Sequence, residues 1–592
     1  MKITTAIMLS LVLALLPAYG QSFEQIAPKV PAKNGDVNGN ASTQTGNQAQ
    51  PSENPPATPP PPATKHGNGN PRLLANLKGL VFVPSRSQVT EKGVANVVGV
   101  KADGLPILQN ADFQPVVGKY LGKPLDLNSL NQLVHDVVVY YRQHDRPIVD
   151  VSVPEQDVTS GVVQIVATEG RLGKVRFEGN RWFSTSTLSG DVRLHPDDPI
   201  SGRIVSQDTA WLNANPFRQV DLVYTPGDKP GTTDIAFKTQ DRLPLRGYVG
   251  YENSGNQYTG YNRWLAGFNW GNAFGLDQQV NYQFTTNDDY KMYNAQSGSW
   301  IIPLPWRHTL TFFGSYSQAT PDTNNALFTQ NGYSWQVSGR YTIPLPGTDT
   351  FNEEVVLGAD FKRSNSNLFF GGSQVYNTLV DVDQAMIGYN ASLTDHYGST
   401  ALNSSFFYSP GGITEYNHDA QFESSQAGAK SNYYYALLQL NRITKLPFEF
   451  SLATKFMGQV SNSTLIGSEQ FGIGGYSTVR GYDERIVNGD SGAVFSNELR
   501  TPPVSIGQLF GDARATDQLQ FMGFIDCGAV TNNKAITGPT SSSTLIGVGP
   551  GLRYVVNPYC SVRADYGLQL RNANVPGLTS KSRVELGVVL SY

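Results

Sequence analysis

Apolar and polar residues alternate along the C-terminal part of the chain, from about residue 243 onward. In the segment 562–570 every even-numbered residue is apolar or aromatic, whereas the odd-numbered positions hold Arg, Asp, Gly and Gln. The last segment, 584–592, repeats the pattern with Val, Leu, Val, Leu and Tyr at the even positions. A period of two with one wholly apolar face is what a lipid-facing strand requires. A soluble β-sandwich is the alternative, but charged residues mixed with Gly on the polar face favour a membrane barrel.

The length of this region limits the number of strands. Residues 242–592 leave room for roughly sixteen strands if each takes about 9–11 residues and loops take the rest. Further strands are predicted at 279–284, 309–316, 335–343, 354–363, 433–443, 449–460, 493–500 and 519–530. Because outer-membrane barrels have an even number of strands, the predicted fold class is an all-β transmembrane barrel of about 16 antiparallel strands.

A mixed pattern precedes the barrel region. The helical spacing of Leu130, Leu133, Val137 and Tyr141 predicts a helix over 129–142. Strands are predicted around it at 77–83, 148–153 and 162–167. A second round of one strand, two helices and two strands is predicted at 174–178, 184–189, 202–213, 219–224 and 233–238. We therefore predict two small α+β domains, at 73–170 and 171–241.

The N-terminus has the pattern of a secretory signal. Lys2 precedes an apolar run, 6–17, and the small-x-small sequence Ala18-Tyr19-Gly20 follows it. This run is shorter than the roughly 20 residues that a membrane-spanning helix needs. Residues 1–20 are therefore predicted to be a signal peptide. The following segment, 21–72, is rich in Pro, Asn and Gln and is predicted to be a flexible linker.

Composition and charge narrow the function. Charged residues make up 16% of the chain, below the roughly 25% of soluble proteins, which suits a barrel. The net charge of −4 argues against a nucleic-acid partner. Cys527 and Cys560 could pair in an oxidising compartment, but a predicted strand between them argues against a disulfide. Without metal-ligand spacing or a catalytic motif, we expect no metal, no cofactor and no enzyme activity.

Four local sequences resemble those of one known family. Val479-Arg480-Gly481-Tyr482 resembles the VRGY motif of the inward-folded loop in TpsB transporters of two-partner secretion, the haemolysin activator/secretion type that includes ShlB and FhaC. Phe524-Ile525-Asp526-Cys527-Gly528 resembles the strand motif F-x-D-x-G of that family. Val153-Pro154-Glu155-Gln156-Asp157 resembles its first POTRA domain, and Tyr251-Glu252-Asn253-Ser254-Gly255 resembles the start of its barrel. The resemblance covers residues 74–592 in the right order.

The resemblance implies a location, a function and partners. It implies an outer-membrane barrel with two periplasmic POTRA domains, which translocates an unfolded secreted partner protein of the TpsA type. POTRA domains would capture this exoprotein and the barrel would form the pore. Outer-membrane lipid and the barrel assembly machinery are further expected partners. The alternatives are an outer-membrane assembly protein of the BamA type, from the same POTRA-barrel superfamily, and a passive porin.

The plug helix is one point where the chain departs from the family. Family members often begin with a helix that plugs the barrel. Residues 21–72 show no helical periodicity. A disordered tether is the alternative to a plug, and the sequence leaves the two open.

The motif loop, around 470–490, carries the chemistry that we expect to matter. A guanidinium buried in a lumen needs a partner. Alternation along the strand 519–530 points Phe524, Asp526 and Gly528 inward, so Asp526 can accept a bidentate contact from Arg480. Glu498 points inward as well and is a second candidate partner.

Two loop residues have structural roles that the sequence suggests: glycines such as Gly481 let the loop adopt positive φ, and Tyr482 could pack on the wall beside Arg480.

Two questions about these motifs stay open. The first is whether the loop serves transport or only stiffens the barrel. Pro154-Glu155-Gln156 follows a predicted strand, and a structural role for it is favoured over direct contact with a substrate.

Overall fold

The computed structural model describes residues 72–322, 328–348, 350–370, 373–533, 542–575 and 580–592. The described chain falls into two compact units, one ending at Arg242 and the other beginning at Leu243. The predicted signal peptide (1–20), nearly all of the predicted linker and the question of a plug helix lie outside the described residues. None of the described helices combines the length and apolar character needed to cross a membrane.

The first unit begins with an α+β domain. Its elements are β1 Arg72–Leu74, β2 Gly79–Val83, β3 Gly99–Ala102, α1 Phe113–Gly118, β4 Leu125–Asp126, α2 Leu127–Gln143, β5 Val149–Ser152 and β6 Val162–Glu169. The main sheet has the order β3-β2-β6-β5, with β2 parallel to β3 and β6. Helix α2 starts at a capping box in which Asp126 accepts from the Ser129 N–H, and it buries Leu133, Val137 and Tyr141. Strand β3 and helix α1 were not predicted.

A smaller α+β domain follows in the same unit. Its elements are β7 Arg171–Glu178, α3 Thr185–Gly190, α4 Gly202–Leu212, β8 Arg218–Pro226 and β9 Thr232–Asp241. The sheet order is β7-β9-β8, with β8 antiparallel to β9 at one edge. Asp145 of the preceding domain accepts from the Arg203 N–H at 2.6 Å and from the Ser201 hydroxyl at the start of α4. These bonds join the two domains.

The second unit is a closed barrel of sixteen antiparallel strands, which confirms the predicted fold class. Its strands are β10 Leu245–Glu252, β11 Arg263–Ala273, β12 Gln278–Thr286, β13 Tyr293–Pro303, β14 Thr309–Ala319, β15 Phe328–Pro344, β16 Phe351–Phe370, β17 Ser373–Asp395, β18 Gly398–Ser409, β19 Tyr433–Lys445, β20 Ser451–Ser461, β23 Ser491–Arg500, β24 Gln518–Thr531, β25 Ser542–Val556, β26 Cys560–Gln569 and β27 Ser582–Ser591. Two short strands, β21 Phe471–Ile473 and β22 Val487–Gly489, form a separate hairpin between β20 and β23. Two short helices, α5 Asp419–Ser425 and α6 Ile506–Leu509, lie in loops.

Side-chain alternation assigns the two faces of the wall. On β24, Phe521 and Ile525 are 50% and 45% exposed, whereas Phe524 and Asp526 on the other face are 5% and 0% exposed. Because an exposed apolar face and a polar buried face suit a strand between lipid and lumen, the burial supports the inward direction predicted for Asp526.

The end of the barrel where β10 begins and β27 ends carries exposed aromatic side chains in its turns. These are Phe274, Trp306, Tyr397, Phe448, Phe510 and Tyr559. Aromatic rings of this kind lie at the membrane–water interface of outer-membrane barrels. The segment 462–490, which joins β20 to β23, starts from the opposite end.

Candidate functional site: a loop anchored in the barrel

The loop 462–490 narrows from the β21–β22 hairpin to a tight tip. Gly474 and Gly475 have φ of +109° and +90°, and a Cβ on Gly474 would lie 2.5 Å from the Asp483 carbonyl oxygen. The Thr478 hydroxyl bonds to both the N–H and the carbonyl of Gly474 at 2.9 Å. Glycine is therefore required where the chain turns into the tip.

Arg480 lies at the tip and is 3% exposed. Its Nε donates to Asp526 Oδ2 at 2.7 Å and its Nη2 to Oδ1 at 2.8 Å, which is a bidentate contact. Its Nη1 donates to Glu498 Oε1 at 2.6 Å, and its guanidinium carbon lies 3.6 Å from the centroid of the Phe524 ring. The structure thus brings four predicted site residues together.

Two further wall residues support this contact and were missed from the sequence. The Ser496 hydroxyl donates to Asp526 Oδ1 at 2.5 Å. Arg500 donates to Glu498 Oε2 through Nε at 2.9 Å and Nη2 at 2.5 Å. Ser496 and Arg500 lie two residues before and after Glu498 on β23, so alternation points all three side chains into the lumen. This alternation could have identified both residues from the sequence.

Glycines in the wall make room for the loop backbone. A Cβ on Gly528 would lie 2.8 Å from Val479 Cγ2, and Val479 itself is buried. A Cβ on Gly567 would lie 2.3 Å from the Gly481 nitrogen, and one on Gly547 would lie 2.0 Å from the Arg480 carbonyl oxygen. Gly528 was predicted; Gly547 and Gly567 were not, although inward-facing glycines on strands beside the motif are a usable signal.

Tyr482 continues the anchorage along the wall. Its side chain is fully buried, and its hydroxyl donates to the Ile546 carbonyl at 2.9 Å and contacts the Arg571 carbonyl. The next residue, Asp483, pairs with Arg583 on β27. Loop and wall are therefore joined by backbone, hydroxyl and charged contacts.

The closure between β27 and β10 lies beside the loop. This ladder pairs only five residues of β10, the fewest in the barrel, as far as the structure describes it. Arg563 on β26 reaches Glu252 on β10 at 2.6 Å, crossing Gly587, where a Cβ would lie 2.5 Å from Arg563 Nε. The loop residue Tyr476 lies with its ring centroid 3.7 Å from the Arg563 guanidinium. None of these contacts was predicted.

The POTRA motif lies in the first α+β domain. Gln156 donates to the Gln164 carbonyl at 2.7 Å and accepts from the Gln164 N–H at 2.7 Å. It also donates to the Pro154 carbonyl at 3.1 Å. Glu155 is exposed. The contacts of Gln156 are those of a residue that fixes the turn against β6, the role favoured from the sequence.

Replacing Gln156 by alanine should loosen β6. The change leaves the backbone groups of Gln164, which is 1% exposed, without partners, at a cost of about 1–3 kcal/mol. Hydrogen exchange of the Gln164 amide in the full-length protein should accelerate accordingly. Glu155→Ala is the matched control, since it changes an exposed neighbour. Equal exchange in the two variants would contradict this role for Gln156.

Cys527 and Cys560 are both free. They lie on β24 and β26, with β25 between them, which is the arrangement that argued against a disulfide. Among the described residues no group of His, Cys, Asp and Glu has the arrangement of a metal site.

Comparison with known proteins identifies the family. Residues 231–554 match the family described as haemolysin secretion/activation protein ShlB/FhaC/HecB, and residues 96–170 match the POTRA domain, ShlB-type. These matches support the secretion family over the BamA-type alternative.

Individual relatives point the same way. The outer membrane transporter CdiB of Dickeya dadantii (strain 3937) is 25% identical over 480 residues, which cover 78% of this chain and 81% of the relative. The heme/hemopexin transporter protein HuxB of Haemophilus influenzae (strain 86-028NP) is 22% identical over 421 residues, which cover 67% of this chain and 71% of the relative. The structure of CdiB from Escherichia coli superposes with a TM-score of 0.70 at 18% identity, covering 90% of this chain and 93% of that one, which shows a shared fold. The chain therefore belongs to the ShlB/FhaC/HecB haemolysin secretion/activation family, the TpsB outer-membrane transporters of two-partner secretion.

Proposed function

We propose that this chain exports an unfolded partner protein by capturing it on the POTRA domains and passing it through a barrel whose lumen is occupied by the Arg480 loop. The observation that supports this most directly is the buried contact of Arg480 with Asp526 and Glu498. A loop held inside a barrel by its own ion pairs is suited to govern passage. Residues 73–170 and 171–241 are the two capture domains, and 242–592 is the pore.

The proposal also includes how the protein reaches the outer membrane and inserts into it. Residues 1–20 direct secretion as a signal peptide, and the barrel assembly machinery inserts the barrel. The exposed apolar side chains on the outer wall, such as Phe521 and Ile525, contact lipid.

The outer edge of β8 is the capture surface that we propose. Asn213 bonds to both backbone groups of Val220, at 2.7 and 2.9 Å, on the side of β8 that faces away from β9. By alternation, Leu222 and Tyr224 direct their backbone groups to the same side. Within the described part of the chain these groups have no hydrogen-bond partner. An extended segment of the exported chain can add here as a further strand, with little demand on its sequence.

Leu222→Pro tests the capture edge. Proline removes the outward N–H, and its ring obstructs an added strand, but it spares the ladder to β9. We expect secretion of the partner into the medium to fall several-fold. Leu222→Ala, which keeps the N–H, should secrete as the unchanged chain does. Trypsin resistance of the periplasmic domains checks folding, and normal secretion by a folded Leu222→Pro variant would contradict the proposed edge.

A further inference from the structure

A second buried ion pair holds the loop near its start, away from the VRGY motif. Glu469 precedes β21, and its side chain is 0% exposed. Its carboxylate accepts from Lys362 Nζ at 3.0 and 3.1 Å. The Tyr435 hydroxyl donates to the same carboxylate at 2.9 Å. Lys362 lies on β16 and Tyr435 on β19, so both partners belong to the barrel wall.

The start of the loop and the residues just after its tip contact different sides of the barrel. Counting from β10, β16 is the seventh strand and β27 the sixteenth of a closed ring of sixteen. Strands separated by that interval face one another across the lumen. Glu469 binds β16, whereas Asp483 pairs with Arg583 on β27. The loop therefore crosses the lumen from one wall to the opposite wall.

We propose that Lys362 and Glu469 are a second anchorage that keeps this loop stretched across the lumen and so keeps the resting pore closed. Lys362 is a positioning residue in this assignment, since it acts through Glu469. A fully buried carboxylate stays in place only while a cation pairs with it. Without Lys362, Glu469 gains by moving into water and the loop segment around it detaches from β16, while the Gln459 side chain on β20 still donates to its backbone carbonyl at 2.9 Å.

The two anchorages differ in strength. Arg480 donates hydrogen bonds to two carboxylates, lies against an aromatic ring and is almost fully buried. Lys362 holds Glu469 through a single ammonium group, and its side chain is 21% exposed. Water reaches the second pair more readily, which weakens it. The start of the loop is thus the end that detaches more easily, while the Arg480 tip stays bound.

Single-channel conductance of the full-length protein in planar bilayers tests the second anchorage. We expect Lys362→Met and Glu469→Gln each to raise the time-averaged conductance several-fold. The reciprocal exchange, Lys362→Glu with Glu469→Lys, should return it toward the unchanged level, since it restores opposite charges. Arg363→Met is the matched control, because Arg363 neighbours Lys362 on β16 and pairs with Asp381 on β17 at 2.6 Å, within the wall. That variant should conduct as the unchanged protein does.

Two results would overturn the inference. One is unchanged conductance in both single variants; the other is an exchange variant as leaky as the single ones. The inference deepens the proposed function, because it concerns the same loop. Its readout is conductance without any partner protein, so its failure is distinguishable from a failure of export in Arg480 variants.

Discussion

Replacing Arg480 by alanine is expected to abolish export of the partner protein while the barrel still inserts into the outer membrane. The change leaves Asp526 and Glu498, which are 0% and 5% exposed, without the cation that joins them to the loop. Removing one partner of a buried ion pair costs about 3–5 kcal/mol, and most of this cost can be relieved by release of the loop. Arg480 belongs to none of the sixteen paired strands, so the barrel is expected to form without it.

The amount of partner protein in the medium measures export. Heat-modifiable migration of the barrel on a gel measures whether the barrel has folded and inserted. Arg480→Lys keeps the charge but lacks the planar fork, so we expect partial export. Arg442→Ala is a suitable control, because Arg442 pairs with Asp395 on the wall at 2.9 Å. Normal export by Arg480→Ala would show that the loop contact only stiffens the barrel.

The Arg480–Asp526 contact could be anticipated because a strand has a fixed period. Once the segment around Asp526 is recognised as a strand, the exposed Phe521 and Ile525 identify its lipid face, and Asp526 must point the other way. A buried Arg then needs a carboxylate, and the number of inward carboxylates nearby is small. The family resemblance pointed to the same pair.

Strand ends were harder to predict than strand faces. The strand predicted at 354–363 extends in the structure over Phe351–Phe370. Its added residues include Ser364, Asn365, Ser366 and Asn367, and neither face of this segment is apolar. Asn365 and Asn367 bond to one another and to Asn331 and Asn377 of the neighbouring strands. Apolar and polar residues alternate along a strand only where one of its faces contacts lipid or an apolar core. The polar extension of this strand therefore carries no alternation by which it could be predicted.

Contacts between distant segments were beyond prediction for a different reason. Lys362 and Glu469 are 107 residues apart in the chain, and only the closed ring and the path of the loop bring them together. A single sequence specifies which face of a strand each residue occupies, but it does not specify which inward residues meet across a lumen. The inward face of Gly567 follows from alternation, but its contact with Gly481 does not, for the same reason.

Replacing a wall glycine is the second change from which we expect a large effect, and it alters no charged residue. Gly567→Val places a side chain where the backbone of Gly481 now lies, since a Cβ there would be 2.3 Å from the Gly481 nitrogen and 2.5 Å from its Cα. Backbone atoms of a turn at φ +95° cannot give way as a flexible side chain does. We therefore expect the loop tip to be displaced and export to be lost, as in Arg480→Ala.

Trypsin treatment of intact cells separates this effect from misfolding. Arg480 is buried in the unchanged protein and should resist cleavage, whereas in a folded Gly567→Val barrel the displaced tip should be cut. Gly523→Val is the matched control on β24, because a Cβ on Gly523 has no atom within 4 Å. It should export normally and resist cleavage at Arg480. Gly567→Val changes none of the three charged residues Arg480, Asp526 and Glu498. Lost export would therefore show that export requires the position of the loop, and not its charge alone. A folded Gly567→Val variant that exports normally would refute that requirement.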